Sequence, residues 1–122
     1  MTDLEKFRRY RAKMNARILS GGDLGIKRFF ALDSRAYENG ALKSKTKELL
    51  GLAASLILRC NDCITYHVIC CVQEGVSDAE FFEAFNVALV VGGSITIPHV
   101  RRAVEKLDLC REKQRKHESI EL

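Results

Sequence analysis

"RCNDCITYHVICC", Arg59 to Cys71, sets two cysteines three apart and a histidine four residues after the second. On an α-helix, Cys63 lies about 60° and His67 about 20° from Cys60 around the axis. All three then share one face. Cysteines at i and i+3 bring their Cα atoms to roughly 5 Å, inside the span a disulfide needs. Such a pair closes and opens with little backbone motion. A helix starting close to Cys60 sets the pair in the first turn. Free N–H groups and the positive dipole end there favour thiolate over thiol. His67, one turn beyond Cys63, is placed to take the thiol proton or to stabilise the thiolate.

Two other readings compete. Buried free cysteine is common, and Cys70, Cys71 and Cys110 are expected to be that. A histidine on an inward face is usually a satisfied core residue. Zinc is the sharper rival, because many zinc sites begin with such a cysteine pair. A structural site normally draws a second pair from a distant element, however, and His99 and His117 form no clear second half. Covalent haem needs histidine directly after the second cysteine, where Ile64 stands. Cys60, Cys63 and His67 together favour redox chemistry, with no metal and no cofactor expected.

On the N-terminal side, "LLGLAASLIL", Leu49 to Leu58, reads as a buried helix and is too short to span a bilayer. Ser44 or Thr46 is its expected cap. Further upstream, residues 3–19 form a charged amphipathic helix stopped by Gly21 and Gly22. "DLGIKRFFALDSRAYENG" follows, with Gly40 as its expected stop. On the C-terminal side, the cysteine helix should end at Gly75. Ser77 and Glu80 then form a capping box. Phe81, Phe82, Phe85, Ala88 and Leu89 are the expected inner face of the next helix, which ends at Gly92 and Gly93. A last helix starts near Ser94 or Thr96, with Pro98 in its first turn. No stretch alternates with period two. The expected fold is all-α, about six helices in one domain over residues 1–122.

The chain carries a formal net charge of +4, concentrated in "EKFRRYRAKMNAR" and "REKQRKHE". Interspersed glutamates make these solvated helix faces rather than a nucleic-acid site, and no membrane partner is expected. Five cysteines is an odd number, and the N-terminus is charged from Asp3 onward. A secreted disulfide framework does not fit this pattern, and the reducing cytoplasm does.

Glu48, eleven residues, Cys60, Cys63, three residues and His67, with the turn at Gly75 and the glycines at 92 and 93, resemble the carboxymuconolactone decarboxylase family. Within it they resemble the alkylhydroperoxidase D-like branch, over roughly residues 24–105. The resemblance implies the helical bundle of that branch, assembled as homo-trimers or hexamers. It implies that Cys63 attacks a peroxide substrate, that Cys60 resolves the sulfenic acid as a disulfide, and that His67 and Glu48 relay protons. A dithiol reductant of thioredoxin or lipoyl type would restore the thiols. The peroxidase that names the branch has a second histidine just before its second cysteine. Asp62 stands there here. An anion at that place opposes thiolate formation, so a shorter or retuned relay is implied. Two alternatives are a lyase acting on a small carboxylated ring, which leaves the cysteines dispensable, and a non-enzymatic redox-sensing oligomer.

Overall fold

A computed structural model describes all 122 residues as six α-helices and one 3-10 turn, with no strand. The helices are α1 (Asp3–Gly21), α2 (Leu24–Ala36), α3 (Ser44–Leu58), α4 (Asn61–Gln73), α5 (Asp78–Gly92) and α6 (Ile97–Arg115). The 3-10 turn, Ser94–Thr96, leads into α6, and Pro98 falls in the first turn of α6. No helix is long and apolar enough to cross a membrane.

The centre is α3 packed on α4 and α5, with α6 against the other side of α4. Leu52 and Leu56 of α3, Ile64 and Val68 of α4, Phe81 and Phe85 of α5, and Ala103 and Leu107 of α6 form its core. Cys71 and Cys110 are fully buried in it, and Cys70 is buried as well. Two capping boxes set helix starts: Thr2 with Glu5 ahead of α1, and Ser77 with Glu80 ahead of α5.

Several boundaries differ from the sequence expectation. Helix α2 stops at Ala36, short of Gly40. The Ser44 hydroxyl donates to the Tyr37 carbonyl at 2.7 Å, and the Ser44 N–H donates to Asn39 Oδ1 at 2.8 Å. These local bonds give the backbone an alternative to another helical turn. They also occupy the Ser44 side chain, so α3 begins after Lys43 without a side-chain cap. Phe82 is not an inner-face residue: it is 54% exposed, 100° around α5 from Phe81. Its ring packs steeply inclined to that of Phe85 instead, at a centroid distance of 5.5 Å.

Candidate functional site

A tight turn joins α3 to α4 and creates the site. Arg59 takes the left-handed conformation, φ 60°, directly after α3. Its N–H donates to the Leu56 carbonyl and the Cys60 N–H donates to the Ser55 carbonyl, each at 3.1 Å. This is the Schellman pattern, which usually employs glycine at the left-handed position. One residue later the chain enters α4. Cys60 therefore lies just outside the helix as its N-cap, φ −96°, rather than within its first turn.

Cys60 and Cys63 are joined as a disulfide, with Cα atoms 5.2 Å apart. Cys60 Sγ also accepts the Cys63 N–H at 3.2 Å, as an N-cap oxygen would. Cys63 is exposed and Cys60 half-buried. Either sulfur can thus be reached from solvent at the positive end of α4. Asp62 is exposed beside them.

His67 is buried one turn below Cys63. Its Nδ1 lies 2.8 Å from Glu48 Oε2, and Glu48 is itself buried. A carboxylate can only accept, so Nδ1 carries the donated hydrogen and Nε2 keeps its lone pair in the neutral ring. The Tyr37 hydroxyl stands 3.5 Å from that Nε2. The His67 and Tyr66 rings stand nearly perpendicular, 82° apart, at a centroid distance of 5.1 Å. Gly51 lies one turn after Glu48 on α3, and a Cβ there would stand 2.6 to 2.9 Å from three atoms of the imidazole. The ring rests directly on α3 because nothing projects at residue 51.

Glu48, Cys60, Cys63 and His67 thus assemble into one cluster. Tyr37, just after α2, also reaches the cluster, its hydroxyl 3.5 Å from His67 Nε2. Gly51 and Tyr66 were not expected at the site at all. Gly51 falls three residues after Glu48, a spacing that could have placed it on the same face. Tyr37 left no comparable signal, because its approach depends on the turn between α2 and α3.

The other thiols are kept protonated. Burial, and then the nearby Glu48 carboxylate, push the Cys70 thiol up to about 12. The same causes raise Cys71, and burial pushes Cys110 up to about 11. Burial raises Tyr66 and Tyr37 as well, keeping both phenols neutral. His99 lies elsewhere, with Nδ1 2.8 Å from Asn61 Oδ1, and His117 lies beyond the end of α6. No three His, Cys, Asp or Glu side chains converge in an arrangement suited to a metal ion.

Cys63 and His67 open onto one pocket of about 350 Å³. Asp62 and Tyr66 of α4 and Asp33 of α2 also line it, and the rest of its wall is α1. The Arg11 guanidinium lies over the Tyr66 ring, 4.6 Å from its centroid.

The model of the carboxymuconolactone decarboxylase family matches residues 26–106. Among curated proteins, uncharacterised protein 4 of the cox locus of Paracoccus denitrificans is 31% identical over 80 residues, which is 66% of this chain and 72% of that protein. A crystal structure of a Thermotoga maritima protein superposes with TM-score 0.92 at 56% identity, covering 96% of this chain and 99% of that one. That protein is described as a carboxymuconolactone decarboxylase family protein with a possible involvement in antioxidative response. A carboxymuconolactone decarboxylase family protein of Legionella pneumophila, in its apo form, shares the fold. Its TM-score is 0.80 at 24% identity, over 86% of this chain and 94% of that one.

Proposed function

The chain belongs to the carboxymuconolactone decarboxylase family, and from that premise we propose that it is a thiol-dependent peroxide reductase with an antioxidative role. The observation that carries this reading is the accessible Cys60–Cys63 pair one helical turn from the buried His67–Glu48 pair. In the reduced protein, His67 Nε2 takes the Cys63 proton while Glu48 steadies the imidazolium. The thiolate attacks one peroxide oxygen, the O–O bond breaks, and the other oxygen leaves with a proton as alcohol or water. Cys63 is now a sulfenic acid. The Cys60 thiol attacks its sulfur, water leaves, and the disulfide forms. A dithiol donor, itself oxidised to a disulfide, returns both cysteines to thiols.

The same reading has the protein act as a homo-oligomer, a trimer or a hexamer, in a reducing cytoplasm. Helix α2 buries no residue, and Leu24, Phe29 and Leu32 on it are each about 60% exposed or more. Contiguous apolar faces of this kind mark interfaces.

The test is peroxide consumption driven by dithiothreitol, followed by digestion and mapping of oxidised peptides. Cys63→Ser should abolish turnover, and Cys60→Ser should leave a trappable sulfenic acid on Cys63. Glu48→Gln and His67→Ala should each slow turnover by about a hundredfold or more. Label appearing on Cys60 in the Cys63→Ser protein would reverse the roles. A single oxidation without turnover would make the protein a sensor rather than an enzyme.

A further inference from the structure

Two side chains reach the two ring nitrogens of His67. Glu48 Oε2 stands 2.8 Å from Nδ1, and the Tyr37 hydroxyl stands 3.5 Å from Nε2. Proton transfer from Cys63 uses the first contact and gives the second no task. The Tyr37 and His67 rings also lie against each other, with centroids 5.4 Å apart and planes at 44°. Tyr37 does not line the pocket onto which Cys63 and His67 open. Its hydroxyl therefore meets the imidazole from outside the space a substrate occupies.

The placement of Tyr37 is fixed by its own backbone. Its N–H donates to the Ser34 carbonyl at 3.4 Å, and its carbonyl accepts from Ser44 Oγ at 2.7 Å. Lys47 Nζ donates to the adjacent Glu38 carbonyl at 2.6 Å. Ser44 and Lys47 belong to the first turn of α3, and Glu48 follows at once. One helix start thus sets both partners of the imidazole. The phenol stays neutral: burial, then the Glu48 and Asp33 carboxylates, push its proton loss to higher pH. A neutral hydroxyl has one hydrogen to donate and two lone pairs that accept. By rotating that hydrogen it donates to Nε2 of the neutral ring or accepts from Nε2–H of the imidazolium. The second bond is charge-assisted and the stronger of the two. Tyr37 therefore favours the protonated ring, while its long contact with the neutral ring leaves the Nε2 lone pair open to the Cys63 proton.

We infer that Tyr37 is a positioning residue of the relay: it holds His67 Nε2 while the cysteines are disulfide-bonded, and it stabilises the imidazolium once Cys63 has given up its proton. This rests on the peroxide-reducing reading above. In the reduced protein the Cys63 S–H bond breaks and an Nε2–H bond forms. The Tyr37 hydrogen swings away, and the phenol oxygen accepts the new N–H. After the O–O bond breaks, the departing oxygen takes the proton from Nε2, and the hydroxyl turns back to the lone pair. Tyr37 keeps its own proton throughout, so it adds no atom and no electron to the reaction.

Tyr37→Phe keeps the ring against His67 and removes only the hydroxyl. In the first measurement, chains with Tyr37 and with Phe at that position both carry Cys60→Ser, are fully reduced, and react with iodoacetamide from neutral to alkaline pH. Cys70, Cys71 and Cys110 are buried, so alkylation reports the Cys63 thiolate. Near neutral pH, Tyr37→Phe should slow it by about fivefold, the worth of one ordinary hydrogen bond. At alkaline pH, where the thiol ionises without help from the ring, the two rates should meet. The other charged or titratable groups around the ring are Cys63, Asp62, Tyr66 and Cys70 of α4, Asp33 of α2 and Arg11 of α1, and the substitution changes none of them. Equal rates at neutral pH overturn the inference. So does a rate lowered equally at every pH, which reports altered access to Cys63. The second measurement is nitrogen-15 NMR of the His67 ring in the oxidised proteins at alkaline pH. In Tyr37→Phe, Nδ1 should stay protonated and Nε2 should move toward the position of an unbonded imine nitrogen. An unmoved Nε2 overturns the inference. With Cys60 intact and dithiothreitol as reductant, kcat/KM for peroxide should fall by a similar factor, and an unchanged value overturns the role in the relay. If the wild-type chain consumes no peroxide, the functional reading fails, and alkylation and NMR alone decide whether Tyr37 supports ionisation of Cys63.

Discussion

Helices α3 and α4 and helices α1 and α2 are both amphipathic pairs, yet they meet opposite fates. In α3 and α4 the apolar faces close on each other and on α5 and α6, and Leu52, Leu56, Ile64 and Val68 are fully buried. Even the polar groups there, Glu48 and His67, are buried and paired. In the first pair only Leu4 is buried, while Leu32 and Phe29 of α2 stand 65% and 66% exposed. An apolar face is legible in both pairs, though the heavily charged α1 carries a weaker one. The difference is what the rest of the chain supplies to cover it. A 122-residue chain has a limited core, and here it is used around the cysteine helix. The pair left outside provides a pocket wall and leaves apolar side chains exposed.

Matched leucine truncations test this contrast most strongly. Leu56→Ala should cost about 2–5 kcal/mol of unfolding free energy, the usual range for a buried leucine. Leu32→Ala should cost less than about 0.5 kcal/mol within the single chain and should instead weaken assembly. Chemical denaturation measures the first effect and light scattering the second. Equal losses of stability would erase the contrast, and a monomer at micromolar concentration for the wild-type chain would remove the proposed role of α2.

Glycine-to-alanine substitutions sharpen it further. Gly51→Ala drives a methyl into the imidazole of His67, so the ring must leave Glu48 or α3 must shift. An overpacked site of this kind costs about 1–3 kcal/mol, and turnover should fall with it. At Gly25 of α2 a Cβ meets only the exposed Asp23 carboxylate, at 3.3 Å. Gly25→Ala should be neutral or stabilise by up to about 1 kcal/mol through helix propensity. Paired melting curves and turnover rates decide, and opposite signs in the two regions are the expected result.

The smallest effect is one of pH. Burial pushes the thiols of Cys70 and Cys110 up to about 12 and about 11, against an ordinary 9.0. As pH rises past about 9, the unfolded chain releases these protons while the folded chain keeps them. The unfolded state then binds fewer protons, so stability falls with rising pH. Below about pH 8 these groups contribute no slope. Melting temperature should drop between roughly pH 8 and 10.5, and Cys110→Ala should flatten part of that slope. An unaltered slope in that variant would contradict the assigned burial of the Cys110 thiol.

Helical spacing by itself placed Cys60, Cys63 and His67 on one face. The capping box at Ser77 and the helix count also followed from sequence alone. These are short-range properties, fixed by 3.6 residues per turn and by side chains that reach three residues along the backbone. Glu48 lay beyond that reach: the family resemblance pointed to it, and its 2.8 Å contact with His67 exists only because the left-handed turn at Arg59 folds α3 back onto α4. The exposure of Phe82, the Tyr37 hydroxyl on His67 and the bare helix face at Gly51 were decided in the same way. So was the position of α1 over the pocket. Each depends on where one helix lies against another, and that is set by the best burial available to the whole chain. A helical period specifies which face a side chain shares, and only packing specifies what that face meets.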